Sequence, residues 1–231
     1  MAIWGMGDLH LSFKVNKPMD VFGAEWENHV EKIRAEWEKY VNEEDLVIIP
    51  GDISWAMYLQ EAVYDLQWIG GLAGKKLLLR GNHDYWWNSI SKVRQALPQS
   101  VYALQNDHFN WEGWAVCGSR GWICPGEPRF DETNDYRLYQ RELHRLELSL
   151  KSAYNEGHRQ IITAMHFPPF NLHKEPSDFT RLMFDYGVKI CIYGHLHAEA
   201  KKNAYEGVLN GIRFIFVSAD KLAFRPALLV E

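Results

Sequence analysis

Leu46-Val47-Ile48-Ile49-Pro50-Gly51-Asp52 is the stretch of this sequence that decides the fold. Its first five residues form an uninterrupted apolar run, which is typical of a strand buried on both faces in a parallel sheet. Gly51 ends this strand and Asp52 follows directly. Because ligands of α/β proteins collect beyond the carboxyl ends of parallel strands, Asp52 is a candidate functional residue.

Helical and strand-like segments alternate on both sides of this stretch. Apolar residues at spacings of three and four, such as Ile33 and Trp37, predict a helix over residues 21–41. Further helices are predicted at 58–69, 132–155 and 179–186, and strands at 3–9, 76–80, 160–165, 188–193, 212–217 and 227–230. This alternation predicts an α/β fold, and the short strands expected between 101 and 121 predict a second sheet. No linker divides the chain, so we expect one domain over residues 1–231.

Composition narrows the class of protein. The chain has 231 residues, 47% of them hydrophobic, and a formal net charge of −5. A nucleic-acid-binding protein usually has a basic surface, so nucleic acid is not the expected partner. The first residues lack the pattern of a signal peptide, and no apolar run is long enough to span a membrane. We therefore expect a cytoplasmic protein, whose oligomeric state the sequence leaves open.

Five polar clusters close strand-like segments. They are Asp8-Leu9-His10, Gly51-Asp52, Gly81-Asn82-His83-Asp84, His166 and Gly194-His195-Leu196-His197. Since the carboxyl ends of parallel strands meet at one edge of a sheet, we expect all five clusters to lie together. We expect Asp8 and His10 to share a face, and likewise His195 and His197, because alternate residues of a strand point the same way.

The residue types in these clusters predict a metal site. Carboxylate, imidazole and amide oxygen donors suit Mn, Fe or Zn ions better than Mg or Ca, which prefer oxygen ligands alone. Seven candidate ligands are too many for one ion but suffice for two divalent ions that share a bridging ligand. Two ions about 3.5–4 Å apart can clamp a phosphate ester and activate a bridging water. The sequence therefore predicts a two-metal hydrolase.

The ordered set of clusters resembles the calcineurin-like metallophosphoesterase superfamily. The resemblance spans nearly the whole chain, and it implies two central β-sheets sandwiched between helices, with the site at the strand ends. It also implies hydrolysis of a phosphate mono- or diester by a metal-bridging hydroxide. The expected partner is then a phosphorylated small molecule, whose identity the motifs do not encode.

Individual roles follow from the resemblance by matching position. One metal ion would be held by Asp8, His10, Asp52 and His197, and the other by Asp52, Asn82, His166 and His195. Asp52 would bridge the two ions. His83 matches the family's histidine that binds no metal and faces the leaving group, where it would act as the catalytic acid.

The second cluster departs from the protein serine/threonine phosphatase branch of the superfamily. That branch has a further Asp and Arg after the Gly-Asp pair, whereas here Ile53-Ser54-Trp55-Ala56 follows. The branch uses the second Asp to orient the catalytic histidine. The residue that orients His83 therefore stays open between Asp84 and a backbone carbonyl, and a protein phosphatase of that branch is not expected.

Three residues have two interpretations each. Arg120 lies in the turn Gly118-Ser119-Arg120-Gly121, where it either binds the substrate phosphate or is an ordinary surface arginine. Trp86 either lines a substrate pocket or packs in the core. Asp84 either caps a helix or supports His83.

Two other functions compete with small-molecule hydrolysis. A metal-dependent nuclease would use the same ligands but needs a basic groove for the nucleic-acid backbone. A non-catalytic binding scaffold on the same fold would have lost ligands, and here every expected ligand position is filled. Activity on single-stranded DNA distinguishes the first alternative, and turnover of any generic phosphate ester excludes the second.

Overall fold

Two β-sheets form the centre of the protein in the computed structural model, which describes residues 1–231. The strands are β1 (Ile3–Gly5), β2 (Leu46–Pro50), β3 (Lys75–Leu79), β4 (Val101–Ala103), β5 (Phe109–Trp111), β6 (Trp114–Ser119), β7 (Ile161–Met165), β8 (Ile190–Tyr193), β9 (Gly207–Leu209), β10 (Ile212–Phe216) and β11 (Ala227–Val230). The first sheet has the order β11-β1-β2-β3-β4 and the second β5-β6-β7-β8-β10-β9.

Most strands run parallel within their sheet. β1 to β4 are parallel to one another, and so are β6, β7, β8 and β10, whereas β5, β9 and β11 are antiparallel edge strands. An isolated parallel bridge between Gly7 and Ser218 joins the segments that follow β1 and β10. The carboxyl ends of strands from both sheets therefore meet at one edge of the sandwich.

Helices cover the outer face of each sheet. They are α1 (His29–Tyr40), α2 (Leu59–Gly70), α3 (Ile90–Ala96), α4 (Asp135–Asn155) and α5 (Asp178–Asp185). The first three pack on the first sheet and share a core with Val47 and Ile49 of β2. Helices α4 and α5 pack on the second sheet in a separate core.

The apolar run of β2 is explained by this layering. Val47 and Ile49 face the helices, whereas Leu46 and Ile48 face the core between the two sheets, so every residue of the strand is buried. This arrangement removes both faces of the strand from water, which requires apolar residues throughout. The predicted two-sheet sandwich flanked by helices is confirmed.

The helix predicted over residues 21–41 begins later than the periodicity indicated. Residues Met19–Phe22 and Ala24–Trp26 form short 3-10 helices, and α1 starts only at His29. Gly23 has φ of 140° and Asn28 has φ of 52°, and both values interrupt a right-handed helix. Trp26 therefore lies outside α1, and its ring packs against the rings of His10 and His197.

None of the helices has both the length and the apolar composition that are required to span a bilayer.

Candidate metal centre

The seven candidate ligands lie together at the carboxyl edge of the sandwich, as their positions after the strands predicted. Four of them, Asp8, His10, Asp52 and His195, have positive φ values between 47° and 75°. Such a backbone is costly for residues other than glycine and is typical of functional sites. The expectation that Asp8 and His10 share a strand face, and likewise His195 and His197, is therefore wrong, because the backbone at Asp8, His10 and His195 is left-handed and not extended.

One group of donor atoms comes from the loops after β1, β2 and β8. The Nε2 atoms of His10 and His197 are 3.4 Å apart. His197 Nε2 lies 3.6 Å from Asp8 Oδ1, and His10 Nε2 lies 3.9 Å from Asp52 Oδ2. All these side chains except that of His197 are buried.

A second group of donor atoms adjoins the first. Asn82 Oδ1 lies 2.6 Å from His166 Nε2 and 2.9 Å from His195 Nδ1, and the two ring nitrogens are 3.2 Å apart. His166 Nε2 is also 3.4 Å from Asp52 Oδ2. Asp52 thus contacts both groups, whereas His195 and His197, only two residues apart, point into different groups.

This donor set fits metal ions. Imidazole and carboxylate ligands bind at about 2.0–2.2 Å, which places neighbouring donors of one ion roughly 3–3.5 Å from each other. The ring nitrogens of His10 and His197 face each other at such a distance, and so do those of His166 and His195. A cation between each pair would satisfy lone pairs that otherwise face one another.

Outer residues fix the orientation of the ligands. Asp220 Oδ1 lies 3.2 Å from His197 Nδ1, and Ser218 Oγ donates a 2.6 Å hydrogen bond to Asp8 Oδ2. Such partners set the tautomer and the direction of a ligand. Sequence reasoning missed Ser218 and Asp220, although they follow strand β10 in the same way as the other clusters follow their strands.

Two glycines let the loops approach the carboxylates. A methyl group added to Gly81 would overlap the side chain of Asp52, and one added to Gly194 would overlap that of Asp8. In addition, the backbone N–H groups of His83 and His195 donate hydrogen bonds to Asp52 and Asp8 respectively. The carboxylates are thus held by backbone that only glycine can bring so close.

Burial and charge set opposite protonation preferences among the histidines. Burial lowers the pKa of His10 to about 4 and that of His195 to about 3, which leaves both rings neutral. Burial also acts on His197, but hydrogen bonds to Asp220 and Asp8 outweigh it and raise its pKa to about 10. Burial would raise the pKa of Asp52, yet the neighbouring His166 holds that pKa well below its ordinary value.

His83 lies beside the donor groups without joining them. Its ring packs against Trp55 with centroids 4.5 Å apart, and its Nδ1 is buried without a hydrogen-bond partner. Neither Asp84 nor a backbone carbonyl bonds to the ring, so neither orients it. Trp55 lies in the loop after Gly51-Asp52, and its ring packs against the His83 ring without a hydrogen bond.

Asp84 organises the loops around the site. Its Oδ1 accepts hydrogen bonds from the backbone of Ile53 and Ser54 and from Trp86 Nε1, and its Oδ2 accepts one from Gly81. Burial, and then the charge of Asp52, raise the pKa of Asp84 to about 6. The carboxylate therefore ties the loop after β2 to the loop after β3.

The other two ambiguous residues have no direct access to the donor groups. Trp86 is 1% exposed and belongs to the core beneath the first sheet, so its ring has no face free for a ligand. Arg120 turns its guanidinium towards Glu142, 3.6 Å away, and over the ring of Trp122. Its backbone carbonyl accepts the N–H group of His166.

A pocket of about 280 Å³ opens beside His195. Phe167, Phe170 and Leu196 contribute apolar side chains to its wall, and Arg129 and Glu127 contribute one positive and one acidic side chain. A small organic group attached to a phosphate would fit there, next to the donor groups.

Solved structures with the same fold include two that the chain covers almost completely. The phosphopantetheinyl hydrolase PptH of Mycobacterium tuberculosis aligns with a TM-score of 0.57 and 13% identity, over 99% of this chain and 95% of that one. AQ665 of Aquifex aeolicus, a protein of unknown function, aligns with a TM-score of 0.51 and 14% identity, over 98% and 95%. At these identities the likeness concerns the fold alone.

Sequence comparison shows similarity to two phage proteins and to one protein family. The Gene 66 protein of Mycobacterium phage L5 is 32% identical over 81 residues, and that of phage D29 is 34% identical over 83 residues. These matches span 39% and 40% of the phage proteins and 35% and 36% of this chain. The model of the calcineurin-like phosphoesterase family matches residues 1–199. This match covers most of the chain, which therefore belongs to the calcineurin-like phosphoesterase family.

Proposed function

We propose that this phosphoesterase binds two divalent metal ions, of Mn, Fe or Zn, and hydrolyses a phosphate mono- or diester of a small molecule. The observation that carries the proposal is the division of the donor atoms into two groups that share Asp52. The first group would hold one ion through Asp8, His10, Asp52 and His197. The second would hold the other through Asp52, Asn82, His166 and His195.

The protein's residues have distinct tasks in this reaction. The two ions, when bound, supply the positive charge that activates water and neutralises the phosphate. Asp220 and Ser218 keep His197 and Asp8 aimed at the site. His83, held by Trp55, donates a hydrogen bond or a proton to the leaving oxygen.

A small phosphorylated molecule is the substrate that the surroundings favour. The pocket beside His195 accepts an organic group of limited size, and the net charge of −5 does not favour nucleic acid. The name of PptH, a phosphopantetheinyl hydrolase of the same fold, agrees with this class of substrate.

Metal add-back to stripped protein tests the proposal. Hydrolysis of p-nitrophenyl phosphate and bis-p-nitrophenyl phosphate is measured with Mn²⁺, Fe²⁺, Zn²⁺, Ni²⁺ or Mg²⁺. We expect metal-dependent turnover that Asp52→Asn abolishes, together with weaker binding of both ions. Asp185→Asn, an exposed change at the end of α5, is the matched control and should retain both properties.

The two substrates also distinguish the reaction types. A higher rate with p-nitrophenyl phosphate indicates a monoesterase, and a higher rate with the bis ester indicates a diesterase. Two bound ions without turnover of either ester would contradict the proposed activity and favour a binding scaffold. Only one bound ion at saturation would contradict the two-metal centre.

A further inference from the structure

Three side chains of metal-ligating types meet at the other end of the strands from the candidate metal centre. They are His108, Glu156 and His158, which we call the His-Glu-His cluster. His108 directly precedes β5, and Glu156 directly follows α4. One ring nitrogen of each histidine and one carboxylate oxygen all lie within 4.8 Å of one another. Strand β7 runs from this end towards His166, and its five residues span roughly 16 Å, so the cluster is separate from the metal centre.

The ring of His108 already has the orientation of a metal ligand. Its Nδ1 lies 2.8 Å from Ser152 Oγ in α4, and its Nε2 lies 3.3 Å from Glu156 Oε2. The side chain of His108 is only 6% exposed, so its ring is fixed by its surroundings. In ligand histidines one ring nitrogen bonds to an outer partner while the other faces the ion. Ser152 is such an outer partner, and Nε2 is the atom that remains for an ion.

The end of α4 fixes the backbone of the other two residues. Gly157 has φ of 88°, and its N–H group donates to the carbonyl of Tyr154. The N–H group of His158 donates to the carbonyl of Ala153, which completes a Schellman motif. Glu156 and His158 thus lie on either side of a fixed turn. The carbonyl end of a helix also favours a cation, because the helix dipole is negative there.

The positive charge next to the cluster is engaged elsewhere. Arg159 follows His158, and its guanidinium lies 4.3 Å from the ring centroid of Tyr154. Its Nη1 atom donates hydrogen bonds to the carbonyls of Tyr154 and His158. The carboxylate of Glu156 is therefore not neutralised by this arginine and keeps its charge for an ion.

An ordinary surface ion pair does not account for all three side chains. A pair between His108 and Glu156 needs no second imidazole, yet the ring centroids of His108 and His158 are 5.2 Å apart. The Glu156 side chain is 60% exposed, and exposed pairs contribute little to stability. The same exposure lets Glu156 rotate, so the three donors can close to the spacing of roughly 3–3.5 Å that ligands of one ion have.

We propose that the His-Glu-His cluster binds a further divalent ion, Zn²⁺, which ties the end of α4 to the segment between β4 and β5. Two imidazoles and one carboxylate form a zinc ligand set in which water takes the fourth position. Mg²⁺ and Ca²⁺ are not expected there, since they prefer oxygen ligands alone. The inference goes beyond the proposed function and uses none of its residues.

The zinc content of the full chain tests the inference. Metal-stripped protein is dialysed against a zinc-buffered solution, and the bound metal is measured by elemental analysis. We expect His158→Gln and Glu156→Gln each to bind about one ion fewer than the wild type, because two remaining donors do not complete a zinc site. His144→Gln is the matched control and should bind as many ions as the wild type. It changes another histidine beside a glutamate, since His144 Nδ1 lies 3.8 Å from Glu147 Oε2 in α4.

The orientation of His108 gives a second readout. Ser152→Ala should weaken binding of this ion about 10–100-fold, because the ring loses its outer partner. Zinc titration by calorimetry measures the affinity. Binding as tight as that of the wild type would contradict a ligand role for His108.

The same zinc counts overturn the inference if they do not depend on the cluster. Equal zinc content in the wild type, His158→Gln and Glu156→Gln proteins leaves only a surface ion pair. Loss of an ion from His144→Gln as well indicates unspecific binding to surface histidines.

Repetition in the Asp52→Asn protein separates this inference from the proposed function. The difference of about one ion should persist there, because the cluster has its own three donors. A difference that disappears with Asp52→Asn overturns the inference. One ion that depends on His158, in a wild type that hydrolyses no ester, supports the inference and contradicts the proposed function instead.

Discussion

His83 is the residue whose chemistry depends most on its surroundings. Its ring leans on Trp55, its Nδ1 has no partner, and burial lowers its pKa. It contributes no donor atom to either metal group, although its backbone N–H binds Asp52. Removal of the ring should therefore affect catalysis without removing the ions.

We predict that His83→Ala lowers kcat about 10²–10⁴-fold, the usual contribution of a positioned acid or base, while the metal content stays near that of the wild type. Steady-state kinetics and elemental analysis of the same samples measure both quantities. His144→Ala, a change at an exposed histidine of α4, is the control. An unchanged kcat would remove His83 from the mechanism.

Asp220 also acts through its surroundings, since it contacts the candidate ligand His197 and contributes no donor atom itself. Its Oδ1 faces His197 Nδ1, and Lys201 lies 2.9 Å from its other oxygen. We predict that Asp220→Asn weakens metal binding about 10–100-fold, because a ligand without its outer partner is poorly oriented. Competition with a chelator measures the affinity. Binding as tight as that of the wild type would show that His197 needs no such support.

At the scale of elements, Lys76 secures the end of helix α2 from inside the protein. The side chain is fully buried, and its ammonium group donates hydrogen bonds to the carbonyls of Leu72 at 2.5 Å and Gly74 at 2.8 Å, in the turn after α2, and to that of Gly70, the last residue of α2, at 3.4 Å. A helix leaves its last carbonyls without partners, and a cation there also interacts favourably with the helix dipole. Lys76 thereby connects β3 to the helix that covers it.

We predict that Lys76→Met lowers the free energy of unfolding by about 3 kcal/mol, because two buried carbonyls lose their donor. Urea denaturation measures the change, and Lys75→Met, at a half-buried neighbour outside this network, is the matched control. Equal stability of the two variants would show that water replaces the ammonium group.

At the scale of the whole molecule, the candidate metal centre joins the two sheets. Its donors come from loops after β1, β2 and β3 on one side and after β7 and β8 on the other. Buried carboxylates and strained backbone are concentrated there. Bound ions should therefore stabilise the folded chain as well as act in catalysis.

We predict that chelation of both metal ions lowers the melting temperature of the wild type by about 10–20 °C, since each ion at 100 times its Kd contributes about 2.7 kcal/mol. Differential scanning calorimetry with and without chelator measures this. The Asp52→Asn protein should show no such shift. A wild-type melting temperature that ignores the chelator would contradict a metal contribution to stability.

The local pattern of the sequence predicted the layers and the edge where the site lies. An apolar run such as that of β2 indicates a strand that is buried on both faces. The polar clusters that follow such runs mark the ends of the strands. The start of α1 was missed because periodicity registers side-chain burial and not φ, so the breaks at Gly23 and Asn28 left no signal in it. The same limit explains why the positive φ values of Asp8 and His10 were not predicted.

The sequence by itself determined the fold class, the family and the chemical types available at the strand ends, because hydrophobic patterns and residue identities can be read from short segments. Only the tertiary structure decided which side chains meet. His195 and His197 separate into different donor groups, Asp220 reaches His197, and Arg120 turns to Glu142. Trp86, an ambiguous tryptophan in the sequence, lies in the core. These side-chain contacts depend on strand order and on loop conformation in distant parts of the chain, which no local spacing encodes.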